Sequence, residues 1–362
     1  MAQQQQKVQA TPLPPDVDPA DPALPVWARP ATPPAPPATT TGANVPSSTT
    51  GKPGALPPDL QPQPGEMGKV RENNGKFTIR VESQEVTLRA TVVDDKKHVV
   101  TDLGRNEFTV FEDGQPQQII HFSREDIPVS IGILVDNSGS MRTKRDAVSK
   151  AVANLVRASN SGDEVFIVNF NDEPYLDQDF TNNIAQMQEA MDREDSRGGT
   201  ALYDAVYASS KHLAGAAKRE KKVLLIVTDG EDNESRISLE EAIRSVQDEN
   251  GPTIYTIGIL GEEGKQPKRA KRALQALSEQ TGGVAFFPKT VDEVDDISRE
   301  VARDIRNQYT ITYKPTNPQS NGGWRQIKVV ARAPGYRDLE VRTRKGYFAN
   351  QQNTASAAPG GK

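Results

Sequence analysis

The stretch VSIGILVDNSGSM, residues 129–141, decides the fold of this 362-residue chain. Its first half, residues 129–135, is a short apolar run rich in β-branched residues, which is typical of a buried strand. Asp136, Ser138 and Ser140 follow at alternate positions on a glycine-containing loop. Such a loop can turn one carboxylate and two hydroxyl oxygens toward one point. That point lies at the carboxyl end of a strand, where open α/β sheets bind ligands.

Oxygen ligands in a compact loop suit a small hard cation, so Mg²⁺ or Mn²⁺ fits this loop better than Zn²⁺, and Ca²⁺ fits less well than Mg²⁺. The D-x-S-x-S pattern alone is equally typical of a strand-to-helix turn in which Asp and Ser act as caps. Two later stretches favour the metal site. RGGTALY (residues 197–203) presents Thr200 after two glycines, and VLLIVTDGED (residues 223–232) is a second apolar strand that ends at Asp229.

In this order, the D-x-S-x-S motif, the glycine-preceded Thr and the strand ending in T-D-G resemble the metal-ion-dependent adhesion site of von Willebrand factor type A domains. The resemblance implies a set of metal ligands, some acting through water: Asp136, Ser138, Ser140, Thr200 and Asp229. Each position holds the residue type that the motif requires. The resemblance also implies a doubly wound, mostly parallel, Rossmann-like sheet with the metal at its top. A Glu or Asp carboxylate from a protein partner would fill an open metal position.

Composition narrows the class of protein. Apolar residues make up only 35% of the chain, and most of its 27 prolines precede residue 65. The net charge of −5 comes from mixed acids and bases, so bulk electrostatics give no reason to expect nucleic-acid binding. No apolar run approaches the ~20 residues that a transmembrane helix needs. Cysteine is absent, which excludes disulfides and thiolate metal sites but does not fix the compartment.

The N-terminal tract, residues 1–75, is rich in Pro, Ala, Thr and Gln. It cannot bury enough apolar surface to offset the entropy of ordering, so we predict a disordered or polyproline-like spacer, and a disordered tail over 350–362. Trp27 is the only large aromatic residue of this tract and a candidate docking point. Residues 1–10 lack the apolar core of a signal peptide. The extracellular, periplasmic or cell-envelope location that the family implies is therefore a hypothesis.

Between these ends, repeated β-α units predict one parallel sheet covered by helices on both faces. The apolar runs predict strands over 129–135, 164–170, 223–228, 253–259 and 284–287. The helical periodicities predict helices over 143–158, 184–194, 202–217, 238–249, 268–280 and 291–307. Length and order match one type A domain at 126–307.

The two flanks of this segment show the period-two alternation of half-buried strands. Predicted strands lie at 77–81, 86–92, 108–112, 119–122, 309–313, 324–331 and 339–343. Each flank is too small to close a stable core. We therefore predict that 76–125 and 308–349 form one small β-sandwich with the type A domain inserted into it, because domains with adjacent termini tolerate insertion. With EFTVFEDG (107–114) and RKGYF (344–348), the arrangement resembles bacterial secreted VWFA-related proteins.

Three functions follow from a metal at this place. The favoured one is a metal-dependent protein-binding module rather than an enzyme. A Mg²⁺-dependent phosphotransfer or hydrolysis site would need a nucleophile, or a positioned base with cationic clamps, and we expect no Lys or His beside the acids. The third is a structural metal that only joins three loops. His98, His121 and His212 lie in separate segments without ligand spacing.

Overall fold

The structure is a computed structural model, and it describes residues 25–28, 69–73, 76–80, 85–157, 160–192, 196–260, 265–317 and 322–349. Its strands are β1 (Lys69–Asn73), β2 (Lys76–Arg80), β3 (Val86–Val93), β4 (Phe108–Glu112), β5 (Gln115–Gln117), β6 (Ile119–Ser123), β7 (Val129–Asp136), β8 (Glu164–Phe170), β9 (Pro174–Thr181), β10 (Lys221–Thr228), β11 (Thr253–Gly258), β12 (Ala285–Phe286), β13 (Tyr309–Tyr313), β14 (Gly323–Ala331), β15 (Glu340–Arg342) and β16 (Gly346–Ala349). Its α-helices are α1 (Arg145–Arg157), α2 (Ile184–Asp192), α3 (Leu202–Ala216), α4 (Leu239–Val246), α5 (Lys265–Thr281) and α6 (Glu293–Arg306).

The central sheet has the strand order β12-β11-β10-β7-β8-β9. β7 is parallel to both β10 and β8, and β11 is parallel to β10 and β12. The predicted mostly parallel α/β sheet is therefore confirmed. β9 was not predicted; it is an antiparallel edge strand on β8, and most of its residues are exposed or partly exposed, so no apolar run reveals it.

Helices cover both faces of this sheet, as the apolar strands require. Residues on alternate positions of β7 point to opposite faces: Ile131 and Ile133 pack with α1, α2 and α6, whereas Leu134 packs with α3, α4 and α5. β7 is buried along its whole length. The ends of β7 and β10 therefore open at the same edge of the sheet, between two helix layers.

A second body consists of two four-stranded sheets, ordered β15-β3-β13-β6 and β16-β14-β4-β5. Strands from both flanks of the central segment are neighbours in each sheet: β13 pairs antiparallel with β3 and β6, and β14 pairs antiparallel with β4. One apolar cluster joins both sheets, with Leu88, Val110, Tyr309, Ile311 and Tyr347 among its buried residues. The core between the two sheets thus depends on residues from both flanks.

The N-terminal part differs from the expectation in two places. β2 pairs with β1 in a separate two-stranded sheet, so the first strand of the four-stranded sheets is β3. Disorder was predicted over 1–75, but residues 26–28 form a 3₁₀ turn that packs on α3, and residues 69–73 form β1. The rest of the predicted disordered tract, 1–24, 29–68 and 74–75, and the tail at 350–362 lie outside the described residues. Among the helices that the structure describes, all fall short of the length and apolarity needed to cross a bilayer.

Candidate metal centre

Asp136 is the last residue of β7, and its side chain is held by two hydrogen bonds. The carboxylate Oδ1 accepts a bond from the backbone N–H of Ser138 at 2.8 Å, and Oδ2 accepts one from the Thr228 hydroxyl at 2.5 Å. The residue is only 1% exposed. Burial raises the pKa of the Asp136 carboxyl; the two hydrogen bonds oppose the rise, and the negative charge of Asp229 adds to it. A cation beside this carboxylate would offset the cost of burying its charge.

The two serines of the motif connect Asp136 to Asp229. The Oγ atoms of Ser138 and Ser140 are 3.1 Å apart, and the Ser140 hydroxyl donates to Asp229 Oδ1 at 2.7 Å. A 3₁₀ turn over Gly139–Thr143 brings Ser140 back over the end of the sheet. The structure thus joins four of the predicted ligand residues in one chain of hydrogen bonds, in which the Ser138 backbone N–H makes the bond to Asp136.

Thr200 lies just before α3 and is 4% exposed. A Cβ built on Gly230, the residue after Asp229, would lie 3.4 Å from Thr200 Oγ1, so the threonine hydroxyl faces the loop that carries Asp229. The backbone N–H and C=O of Thr200 both bond Asn233, at 2.9 and 3.0 Å. The fifth predicted residue therefore lies at the same end of the sheet, on a loop fixed to its neighbour.

The glycines before Thr200 allow this loop to approach the D-x-S-x-S turn. Gly198 has φ of +73°, and a Cβ there would lie 2.5 Å from Asp172 Oδ2. With glycine in place, the Gly198 carbonyl accepts a hydrogen bond from the Gly139 N–H at 3.3 Å, and the Gly199 N–H donates to Asp172 Oδ1 at 2.6 Å. The loop is held by hydrogen bonds on both sides.

Two residues that sequence reasoning missed organise this centre. Asn137 ties three loops together: its N–H donates to Phe170 O at 2.7 Å, its C=O accepts from Arg197 N at 2.9 Å, and its Oδ1 accepts from the Ser196 hydroxyl at 3.0 Å. Thr228, the T of T-D-G, orients Asp136. Both residues stand next to a motif carboxylate in the sequence. Because buried amide and hydroxyl groups need hydrogen-bond partners, their position could have indicated this role.

The expectation that no Lys lies beside the acids is wrong. Lys144, in the turn that leads to α1, places its ammonium group against Asp229 Oδ2. The Asp229 side chain is 2% exposed and the Lys144 side chain 25%. Ser140 and Lys144 are four residues apart in this turn, and both contact Asp229. They reach it because β7 and β10, the strands that precede the two loops, are adjacent.

Residues 130–300 match the family model of the von Willebrand factor type A domain. The chain contains a type A domain. The resemblance drawn from the motif is thereby confirmed, and the matched residues run from β7 into α6. No curated protein sequence matches the chain.

Three solved structures are among those to which the chain is similar. A von Willebrand factor type A protein from Catenulispora acidiphila is 16% identical, over 75% of this chain and 74% of its own, with a TM-score of 0.44. An aerotolerance-related membrane protein from Bacteroides fragilis is 16% identical, over 49% and 98%, with a TM-score of 0.41. Proximal thread matrix protein 1 from the mussel byssus, with a zinc-occupied MIDAS motif, is 20% identical, over 54% and 50%, with a TM-score of 0.43.

The oxygen atoms of this type A domain fit a small octahedral cation. Adjacent ligands of Mg²⁺ lie about 3 Å apart, because each is about 2.1 Å from the ion. The Ser138–Ser140 and Ser140–Asp229 oxygen pairs are 3.1 and 2.7 Å apart. Among the residues that the structure describes, no group of three or more His, Cys, Asp and Glu side chains could hold a metal ion. The donor set at this centre is instead built of hydroxyls and two carboxylates.

Proposed function

We propose that this type A domain is a divalent-metal-dependent protein-binding module, of the adhesion or interaction kind. Mg²⁺ or Mn²⁺ would be held by the predicted ligands: Asp136, Ser138, Ser140, Thr200 and Asp229. The observation that carries the proposal is the hydroxyl–carboxylate chain Ser138–Ser140–Asp229, with oxygens spaced at 3.1 and 2.7 Å. When bound, the ion would supply an electrophilic centre with an open coordination position. A Glu or Asp carboxylate of a protein partner would fill that position.

The chain's own residues support binding better than catalysis. Phosphotransfer or hydrolysis would need a base and cationic groups that contact the substrate. The cation beside the acids, Lys144, is already bound to Asp229 Oδ2. The nearby hydroxyl of Thr228 is bound to Asp136, and that of Ser140 to Asp229. A purely structural metal is the other rival; Ser140 is exposed, which favours a site that a partner can reach.

A thermal-shift series with the full chain tests metal binding. Mg²⁺ binds only the folded state, so at a concentration of about 100 times its dissociation constant it should stabilise the protein by about 2.7 kcal/mol. Asp136→Ala should lose most of this gain. Lys328→Ala, an exposed site on β14, is the matched control. Equal shifts in the wild type and Asp136→Ala would overturn the ligand assignment.

Partner capture separates the three functions. The folded chain is used to pull proteins from the envelope fraction of its source cells, with Mg²⁺ or with a chelator, and generic phosphoesters are assayed in parallel. We expect capture that needs Mg²⁺ and is weakened by Thr200→Ala, with no turnover. Metal-dependent turnover of a phosphoester would favour the enzyme. Partner capture that is unchanged by the chelator would favour the purely structural metal. An extracellular or envelope location is part of the proposal, and fractionation of those cells tests it.

A further inference from the structure

Trp27 lies on the type A domain, far along the chain from the residues that it contacts. We name residues 25–28 the Trp27 segment. It is turned by a hydrogen bond from Ala28 N to Pro25 O at 2.9 Å. Ala28 is 3% exposed and packs in one cluster with Tyr207 and Ala208 of α3. A tract whose composition predicts no ordered structure thus supplies a segment that is buried against a helix.

The indole of Trp27 also meets an aromatic group at the side of α3. Its ring centroid is 5.7 Å from that of His212, edge to face at 81°. The His212 ring is stacked on Phe180 of β9 at 5.3 Å, and its Nε2 is 2.8 Å from Asp179 Oδ1. Edge-to-face aromatic contacts of this kind add to the energy of area burial, and the Pro, Ala and Thr residues of the N-terminal tract could not make them.

The same surface includes the loop that follows Asp229. Ile237 packs, with Trp27, against the cluster of Ala28, Tyr207 and Ala208. We name the junction between α3 and Ile237 the α3 seam. The Trp27 segment makes apolar contacts both with α3 and with Ile237. Its docking therefore stabilises the conformation in which α3 and Ile237 are in contact.

Hydrogen bonds connect the α3 seam to the candidate metal centre. In the first turn of α3, Asp204 Oδ1 accepts bonds from the backbone N–H groups of Arg236 and Ile237, at 3.1 and 3.2 Å. Tyr203 N donates to Asp232 Oδ2 at 3.0 Å. Thr200 is the residue two positions before α3, and Asp229 begins the loop. The seam is therefore the contact between the two elements that bear these predicted ligands.

We propose that the α3 seam is a docking site for a tryptophan-bearing segment, that the chain's own Trp27 segment fills it, and that docking strengthens metal binding. This inference rests on the proposed function for its metal readout. The indole Nε1 is buried and lacks a hydrogen-bond partner among the described residues. An orphaned donor weakens docking, so the segment is suited to exchange with a peptide added in solution.

The first experiment measures Mg²⁺ affinity of the full chain by calorimetry. Trp27→Ala should raise the dissociation constant about fivefold or more, the lower range of coupling between two sites, and Trp27→Phe should fall between it and the wild type. Trp324→Ala is the matched control, because Trp324 is the second of the chain's two tryptophans and packs on Phe348 in the β-sandwich. Equal affinities in the wild type and Trp27→Ala would overturn the coupling.

The second experiment tests the docking site itself, by peptide binding without metal and then by Mg²⁺ titration with the peptide present. A double variant, Trp27→Ala with Trp324→Phe, contains no tryptophan, so a synthetic peptide of residues 21–32 can be followed by its own fluorescence. We expect saturable binding with a blue shift, recovery of Mg²⁺ affinity on adding the peptide, and no binding by a peptide with Ala at position 27. If the protein fails to bind Mg²⁺ in every form, the proposed function is wrong, and the peptide titration still decides the docking site.

The third measurement identifies the occupant. In Trp324→Phe, Trp27 is the sole tryptophan, and its emission should stay the same over a 100-fold dilution if the segment docks in its own chain. Emission that shifts to the red on dilution would show that the segment comes from a second copy, which would overturn docking within one chain. No peptide binding and a solvent-like Trp27 emission would overturn the site.

Discussion

Lys144 and Asp229 form a partly buried ion pair, and the two carboxylate oxygens of Asp229 have different partners. The ammonium group of Lys144 contacts Oδ2, while the Ser140 hydroxyl donates to Oδ1 at 2.7 Å. One oxygen thus faces the hydroxyl cluster and the other faces a cation of the protein. Lys144 therefore orients the Asp229 carboxylate. Its ammonium group would also repel a metal ion bound to that carboxylate.

Lys144→Met should increase Mg²⁺ affinity, on the order of tenfold, because it removes a positive charge close to the ion in a poorly solvated place. It should also lower the stability of the metal-free protein, since it leaves Asp229 buried without its cation. Calorimetric titration and chemical denaturation measure the two effects. Lys150→Met, an exposed position on α1, is the control. Weaker Mg²⁺ binding by Lys144→Met would mean that orientation of Asp229 outweighs the charge.

Lys221 should make stability depend on pH. Burial, together with the positive charges of Arg89 and Arg306, lowers the pKa of Lys221 to about 7, against about 10.4 in an unfolded chain. Between these values the unfolded state binds more protons than the folded state. The free energy of unfolding should therefore rise with pH, by at most about 1.4 kcal/mol per unit.

Denaturant unfolding at pH 7, 8 and 9 checks this slope. Lys221→Met should abolish the contribution, so the wild type should gain stability relative to the variant as pH rises. Lys218→Met, at an exposed position, should keep the wild-type slope. A difference between wild type and Lys221→Met that is the same at all three pH values would contradict the lowered pKa.

Arg344 joins the β-sandwich to the type A domain. Its guanidinium donates to the carbonyls of Asp248, Glu249 and Gly251, at 2.8, 2.6 and 2.8 Å. Arg344→Ala removes these three hydrogen bonds, although the Asp248 carbonyl still accepts from Gly251 N–H, and should destabilise the chain by roughly 2–4 kcal/mol. Arg344→Lys should recover only part, because an ammonium group is a compact donor without the planar fork of guanidinium. Full stability in Arg344→Ala would show that the two bodies are held together elsewhere.

A chain that ends at Asn307 tests the proposed domain boundaries of 126 and 307. It lacks β13 and β15, which flank β3, and β14, which pairs with β4. We expect the amides of β3 and β4 to lose protection in hydrogen exchange, while those of β7 and β10 keep it. Continued protection of β3 would show that the N-terminal strands fold by themselves, and the proposed insertion would then be wrong.

The sequence by itself determined the local elements of this protein. An apolar run such as β7 is buried on both faces, so its composition predicts both its conformation and its place in a parallel sheet. The order of D-x-S-x-S, Thr and T-D-G predicted the family, because each piece follows directly on a strand or precedes a helix. β9 escaped prediction because it is an exposed edge strand, whose side chains carry little apolar pattern.

Only the tertiary structure decided which distant residues meet. Lys144 reaches Asp229 because β7 and β10 are neighbours, and Trp27 docks on α3 across a long, proline-rich stretch of chain. The pairing of β3 with β13 likewise joins residues more than 200 positions apart, as the 3.0 Å contact between Thr87 and Thr312 shows. Periodicity reports how a residue faces its own strand or helix, whereas contacts between elements are set by the packing of the whole chain.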